Sequence, residues 1–345
     1  MAGAGLDDRA VARAAELGSA ALAGDRLALA RLLTAVENRS PLAEAALRDL
    51  YPRAGRAHIV GVTGPPGAGK STLVAALIGC AREAGRAVAV VAVDPSSPIT
   101  GGALLGDRIR MQAYASDRDV FIRSMAARGH AGGLSSSTSA AAAVLDACGF
   151  DLIFVETVGT GQSEVEVASA ADTTVVLEAP EMGDEVQAIK AGLLEVADIV
   201  VVNKGDRPGA QRTASQLRAM LTAAPRVAAD TTGSRAGADA PSAARPKRPD
   251  VMITTASSGA GVPELLAALE RHRPAVGSVD REARRSRAEA LVWAIVGDRL
   301  RAELLDGSRL DGTAAVLDAV ADHELDPYAA ADRLLATLRV RGGAS

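Results

Sequence analysis

The sequence predicts an α/β protein built on a doubly wound, mainly parallel sheet. Short runs rich in β-branched residues are almost continuously apolar, at 58–63, 87–93, 151–155, 173–177, 199–202 and 251–254. Such runs are typical of strands that are covered on both faces. Segments of helical character lie between them, at 73–84, 137–148 and 184–196. Strands that alternate with helices indicate a parallel sheet with helices on both sides.

Helices are also predicted at both ends of the chain. In a helical extension over residues 1–54, Ser40 is placed to cap a helix whose first residue is Pro41. Residues 55–272 form the α/β domain, and an aperiodic run at 225–250, rich in Ala, Arg, Pro, Gly and Ser, is expected to be a flexible surface insertion. Residues 273–345 form a C-terminal helical arm, with helices predicted at 284–305, 314–321 and 327–338.

Composition narrows the classes of partner. A chain of 345 residues with 48% hydrophobic content can bury a full core, and a net charge of −4 gives no basic face for nucleic acid or anionic membranes. No apolar stretch is long enough to span a membrane. Cys80 and Cys148 lie outside any C-x-x-C or Cys/His cluster, which favours a reducing, cytoplasmic location.

A phosphate-binding loop follows the first strand. The run Gly64-Pro65-Pro66-Gly67-Ala68-Gly69-Lys70-Ser71 fits the pattern G-x-x-x-x-G-K-[ST], between a strand that ends at Thr63 and a helix that begins near Ser71. We expect the loop and Thr72 to bind the phosphates of a nucleotide through backbone N–H groups and the helix N-terminus. Lys70 would reach the β- and γ-phosphates, and the Ser71 hydroxyl would bind Mg²⁺.

Acidic residues follow other strands of the predicted sheet. Asp94 ends the second run and Asp107 lies in a glycine-rich loop, so either could hold Mg²⁺ directly or through water. The alternatives are a cap before Pro95 for Asp94 and a solvated loop acid for Asp107. Glu156 ends another run and Gly159 follows three residues later. In this order after a phosphate loop, Glu156 is expected to support Mg²⁺ or its water shell, and the Gly159 N–H to meet the γ-phosphate.

The base is predicted to be guanine. Asn203-Lys204-Gly205-Asp206 follows an apolar strand and fits N-K-x-D. The Asp206 carboxylate can accept hydrogen bonds from N1–H and the 2-amino group of guanine, a donor pair that adenine lacks. The Lys204 stem would lie along the base and Asn203 would tie the loop to the phosphate loop. Backbone N–H groups of Thr255-Ala256-Ser257 are placed to bind guanine O6. The predicted ligands are therefore GTP and GDP with Mg²⁺.

Several longer strings resemble one family of GTPases. They are Asp-Pro-Ser-Ser at 94–97, Leu-Gly-Asp-Arg-Ile-Arg-Met at 105–111, Glu-Thr-Val-Gly-Thr-Gly-Gln-Ser-Glu at 156–164 and Gly-Asp-Glu-Val-Gln-Ala-Ile-Lys-Ala-Gly at 183–192. Together they are similar to the MeaB/ArgK family, the GTPases associated with methylmalonyl-CoA mutase. The resemblance runs from about Leu27 to Leu269 and is weaker in the C-terminal helices.

The resemblance implies a fold of the SIMIBI class of P-loop GTPases and a homodimer formed through the C-terminal arm. It implies that GTP hydrolysis gates the loading of adenosylcobalamin into a B12-dependent acyl-CoA mutase and protects that mutase from inactivation. A cobalamin adenosyltransferase is a further candidate partner. Residues 181–190 match the family's additional switch loop, in which Asp184, Gln187 and Lys190 are the expected signalling positions.

Other functions stay open at this point. A nickel-insertion GTPase would share the fold, but it needs Cys and His ligands, and none of His58, His130, His272 and His323 is near a cysteine in sequence. An amino-acid transport kinase, an older label of the family, and a GTP sensor without cofactor cargo are further alternatives. The chain has no Asp-x-His-x-x-Gly motif for cobalamin, so the cofactor would be held by the partner.

Overall fold

The structure, a computed structural model, describes residues 8–95, 111, 113–114, 116–127, 133–157, 170–180, 194, 196–223, 249–273, 281–305 and 310–339. These residues divide into two compact units. The first runs from Asp8 to Arg281 and contains the sheet, and the second begins at Glu282 and is helical.

The sheet of the first unit has seven strands among the described residues, in the order β3-β2-β4-β1-β5-β6-β7. Every neighbouring pair is parallel. The strands are β1 (His58–Thr63), β2 (Val88–Pro95), β3 (Val120–Ala127), β4 (Leu152–Thr157), β5 (Thr173–Glu178), β6 (Ile199–Val202) and β7 (Asp250–Ile253). All residues of β4, β5 and β6 are buried, which explains why their runs are almost continuously apolar. The predicted parallel α/β fold is confirmed.

Helices cover both faces of the sheet. They are α4 (Lys70–Glu83), α5 (Gly133–Ala147), α6 (Ala210–Ala223) and α7 (Val262–His272). The larger apolar core joins α4 and α7 to one face, where Leu73, Leu77 and Leu265 pack with Phe154. A smaller core packs Ala214 and Leu217 of α6 against alternate residues of β5 and β6. Because these helices are packed on the sheet, they hold the ends of the loops that connect them to the strands.

Three N-terminal helices precede the sheet: α1 (Asp8–Leu22), α2 (Arg26–Glu37) and α3 (Pro41–Leu50). Ser40 caps α3 and Pro41 is its first residue, as the sequence predicts. The Glu37 carboxylate accepts a hydrogen bond from the backbone N–H of Ala126 at 3.0 Å and pairs with Arg123 at 2.8 Å, so α2 covers the edge strand β3. The helical extension thus belongs to the same compact unit as the sheet.

One strand was not predicted. β3 carries Arg123 and Ser124 in its middle, and these polar residues interrupt the apolar run that marks the other strands. The helix predicted at 184–196 and the insertion predicted at 225–250 lie almost wholly outside the described residues, although Asp250 begins β7.

The second unit consists of α8 (Arg281–Leu304), α9 (Leu310–Ala321) and α10 (Pro327–Arg339) in its described part. The Thr313 hydroxyl donates to the Leu304 carbonyl oxygen at 2.8 Å, which ties α9 to the end of α8. Val292, Trp293 and Val296 on α8 are exposed although they are apolar. Among the helices that the structure describes, none has both the length and the apolarity of a membrane span.

Candidate functional site

Several of the sequence-predicted site residues lie at one edge of the sheet. The phosphate loop follows β1, Glu156 lies near the end of β4, and the loops at 203–206 and 255–257 follow β6 and β7. Because all seven strands are parallel, these loops leave from the same edge, where α/β proteins bind their ligands.

The phosphate loop ends in a left-handed glycine that starts α4. Gly69 has φ of 95° and is the residue before Lys70, the first residue of the helix. A Cβ atom at Gly69 would collide with the side-chain amide nitrogen of Asn203. Glycine is therefore required here both by the backbone conformation and by the approach of the loop after β6.

The Lys70 side chain lies folded within its own loop. Its ammonium donates to the carbonyl oxygens of Gly64 at 2.8 Å and Pro65 at 3.1 Å, and the residue is only 6% exposed. Gly64 itself, with φ of 140°, leaves no room for a Cβ against the carbonyl of Leu177 in β5. The start of the phosphate loop is thus packed tightly on the neighbouring strand.

Ser71 and Glu156 meet beneath the phosphate loop. The Ser71 hydroxyl donates to Oε1 of Glu156 at 2.5 Å, and both residues are buried. The register that places Glu156 beside Val62 of β1 brings the carboxylate under the first turn of α4. Two oxygen ligands of the kind that Mg²⁺ prefers are therefore adjacent in a buried position.

Three other predicted residues of the phosphate and metal site cannot be placed in the same way. Asp94 lies in β2, but its side chain is outside the described part of the chain. Asp107 and Gly159 lie wholly outside the described residues. The switch positions Asp184, Gln187 and Lys190 also lie outside it. Within the residues that are described, no group of three or more His, Cys, Asp or Glu side chains could hold a metal ion.

The loop after β6 is bonded to the phosphate loop. The side-chain amide of Asn203 donates to the Ala68 carbonyl at 2.9 Å, which is the link that the sequence predicts. Lys204, in the left-handed region with φ of 56°, donates to the Gly67 carbonyl at 2.7 Å. A non-glycine residue in this conformation is uncommon and concentrates at functional sites. Asp206 is exposed at the turn before α6, where its carboxylate can accept bonds from a ligand.

The loop after β7 joins the same network through Asn203. The Asn203 Oδ1 atom accepts from the backbone N–H of Ala256 at 3.1 Å and from the Thr254 hydroxyl at 3.2 Å. Thr255 bridges to Ala260, and Ser257 is exposed at the surface of this loop.

Thr254 is a contact that sequence reasoning missed. It is 1% exposed, and the sequence predicts it at the end of an apolar strand, whereas β7 ends one residue earlier, at Ile253. The one available signal was a hydroxyl residue at the last position of that strand, directly before the predicted base loop.

A phosphate loop joined in this way to an N-K-x-D loop, at the edge of a parallel sheet, defines the chain as a P-loop GTPase. The family model described as "Methylmalonyl Co-A mutase-associated GTPase MeaB" matches residues 29–308. The chain belongs to this family.

Relatives and a solved structure agree with this assignment. A Pyrococcus abyssi protein named as a GTPase is 45% identical over 324 residues, which cover 93% of this chain and 95% of that protein. The methylmalonic aciduria type A homolog of Mus musculus, a mitochondrial protein, is 46% identical over 147 residues, 43% of this chain and 35% of that protein. The crystal structure of an LAO/AO transport system kinase has 28% identity and a TM-score of 0.65, and the match covers 95% of this chain and 98% of that one.

Proposed function

We propose that this GTPase is a chaperone of a B12-dependent acyl-CoA mutase of the methylmalonyl-CoA mutase type. GTP hydrolysis would gate the loading of adenosylcobalamin and protect the mutase from inactivation. The observation that carries the proposal is the match of residues 29–308 to the family of mutase-associated GTPases. We assign the cobalamin to the mutase, because the chain lacks an Asp-x-His-x-x-Gly motif. A cobalamin adenosyltransferase is the further partner that we propose. We also propose a cytoplasmic location, because a reducing compartment is compatible with the two free cysteines, Cys80 and Cys148.

The reaction is attack of water on the γ-phosphorus, with cleavage of its bond to the β–γ bridging oxygen and release of GDP and phosphate. Lys70 would exchange its contacts with the Gly64 and Pro65 carbonyls for β- and γ-phosphate oxygens. Backbone N–H groups from Gly67 to Thr72, which follow the two prolines of the loop, and the N-terminus of α4 would bind the remaining phosphate charge. Gly159 would donate its N–H to the γ-phosphate.

Mg²⁺ fits the residues present. The Ser71 hydroxyl can give a lone pair to the ion while its proton stays bonded to Glu156, so the 2.5 Å contact orients the ligand. Asp94 and Asp107 are the other acids that we assign to the ion or to its water shell. When bound, Mg²⁺ would neutralise charge on the β- and γ-phosphates.

Guanine would be read by the loops after β6 and β7. Asp206 is exposed and would accept from N1–H and the 2-amino group, and the Lys204 stem would lie along the base. Asn203 connects both loops to the phosphate loop, with bonds to Ala68 and Ala256. The N–H groups of Thr255, Ala256 and Ser257 would bind O6.

Communication with the mutase is assigned to Asp184, Gln187 and Lys190, in the segment that follows β5. This assignment rests on the resemblance of residues 181–190 to the family's switch loop. Packing of Gly64 on Leu177 supports it, because the phosphate loop touches the strand from which that segment leaves.

A homodimer through the C-terminal arm is part of the proposal. On α8 an apolar stripe at positions i, i+4 and i+8 is exposed, with Val292 at 56%, Val296 at 36% and Leu300 at 37%, and Trp293 beside it at 65%. Light scattering should show a dimer that Trp293→Ala with Val296→Ser dissociates. Met220→Ser, at an exposed apolar residue of the other unit, is the control. A monomeric wild-type chain would contradict the dimer.

The activity test compares turnover of GTP and ATP, with and without a methylmalonyl-CoA mutase from the same source. We expect slow, GTP-selective hydrolysis that rises when the mutase is added. Lys70→Ala is the control, since protection of the mutase should disappear with it. GTP turnover that is fast and indifferent to every acyl-CoA mutase tested would contradict the chaperone function but not the GTPase.

A further inference from the structure

Thr254 stands at a junction between three loops of the nucleotide site. Its backbone N–H donates to the Val202 carbonyl at 2.9 Å, and its carbonyl accepts from the Gly205 N–H at 2.9 Å. Its hydroxyl donates to Asn203 Oδ1 at 3.2 Å. The backbone bonds attach the chain after β7 to the end of β6, and any residue except proline could make them. Only the hydroxyl bond depends on the side chain.

That hydroxyl is one of two donors that orient the Asn203 amide. Oδ1 accepts from both Thr254 and the Ala256 N–H, so the oxygen is held toward the loop after β7. The amide nitrogen is then left facing the phosphate loop, where it donates to Ala68 at 2.9 Å. Asn203 is 2% exposed and Thr254 is 1% exposed, so water cannot replace either bond without opening the site.

We propose that Thr254 is a positioning residue for nucleotide binding, and that it acts through Asn203. Its hydroxyl fixes the amide that holds the base-reading loops against the phosphate loop. The proposal rests on the role of Asn203 in the GTPase site and is independent of any mutase partner. According to this proposal, a residue outside the N-K-x-D motif contributes to the affinity for guanine nucleotides.

The test is a double-mutant cycle on GDP affinity, measured by calorimetry with the full chain. Thr254→Val removes the hydroxyl and keeps the shape, and we expect the Kd for GDP to rise about 2- to 12-fold, the range for one neutral hydrogen bond. Thr254→Ser should restore the affinity. In an Asn203→Ala background Thr254→Val should change the Kd by less than about 2-fold, because its partner is gone.

Thr173→Val is the matched control. Like Thr254, Thr173 is a fully buried threonine; it begins β5, and its hydroxyl lies 2.8 Å from His58 Nε2 at the opposite edge of the sheet. It should lower stability without changing the Kd. If Thr254→Val weakens GDP binding equally with and without Asn203, or if Thr173→Val weakens it as much, Thr254 is a structural residue only. If Asn203→Ala itself leaves the Kd unchanged, the assignment of the base loop fails, and the inference fails with it.

Discussion

The stability of the sheet should fall between pH 7 and pH 5 because of one buried histidine. His58 begins β1, is 2% exposed, and lies far from the loops of the nucleotide site. Burial is the largest cause that lowers the pKa of His58 from 6.5 to about 4, and the positive charges of Arg273, His272 and Arg86 contribute to the same shift. Its Nδ1 atom is buried without a hydrogen-bond partner among the described residues, so an added proton would have no acceptor.

The size of the effect follows from the two pKa values. Below pH 6.5 the unfolded chain binds a proton at His58 that the folded chain does not bind until the pH approaches 4, so acid favours unfolding. For a pKa of 6.5 unfolded and about 4 folded, the loss is about 2 kcal/mol at pH 5 and about 3 kcal/mol once both states are protonated. The contribution is fully present above the unfolded pKa.

Urea unfolding followed by circular dichroism, at about pH 7 and about pH 5, measures this loss against a His58→Gln variant. Glutamine keeps a polar group near Thr173, whose hydroxyl lies 2.8 Å from His58 Nε2. We expect the wild type to lose about 2 kcal/mol more than the variant. Equal losses in the two proteins would refute the reasoning. Trp293 is the only tryptophan of the chain and lies on α8, so its fluorescence would report on the other unit instead.

Three further predictions concern the site and its support. Lys70→Ala should reduce GTP hydrolysis on the order of 10²-fold or more, because the β- and γ-phosphates lose the ammonium group that neutralises their charge. The circular dichroism spectrum should be unchanged, and near-normal turnover would contradict the role of Lys70. Asp206→Asn should weaken GDP binding about 10²-fold or more and favour xanthosine diphosphate, whose 2-oxo group accepts from the new amide; calorimetry with both nucleotides decides it. Asp146 in α5 accepts from the backbone N–H groups of Gly55 at 2.5 Å, Arg56 at 3.2 Å and Ala57 at 3.1 Å. Asp146→Ala should therefore lower the free energy of unfolding by about 2–4 kcal/mol in urea, with GDP affinity kept, and an unchanged midpoint would show that these bonds do not stabilise the fold.

The central strands could be predicted because their signal is local. β1 and β6 were predicted with the bounds that the structure shows, since a strand that is covered on both faces is apolar at most of its positions. β3 could not be predicted in this way. Its Arg123 pairs with Glu37 of α2, which is 86 residues away in sequence, and that partner makes a charged residue acceptable in an edge strand. The eight residues of β3 contain no pattern that predicts the helix that covers this strand.

The same distinction separates the parts of the site. The phosphate loop and the N-K-x-D loop could be predicted because each is a short sequence motif with a defined chemical role. Both motifs follow parallel strands, which places them at the same edge of the sheet. The contacts that hold these two loops together join residues that are far apart in sequence, so no local pattern predicts them. Asn203 reaches Ala68 across 135 residues, and the space it needs exists only because residue 69 is a glycine.

The approach of Asn203 to the phosphate loop also has a functional consequence. The amide that fills the space beside Gly69 is the same one that is held by Thr254 and Ala256, so phosphate and base loops share a single buried residue. A displacement of either loop must break a bond to Asn203 or move the other loop. Because Gly64 packs on Leu177 at the start of the same phosphate loop, β5 would take part in that movement. Binding of nucleotide should therefore stiffen β1, β5 and both base loops together, and amide exchange that slows only in the phosphate loop would contradict this coupling.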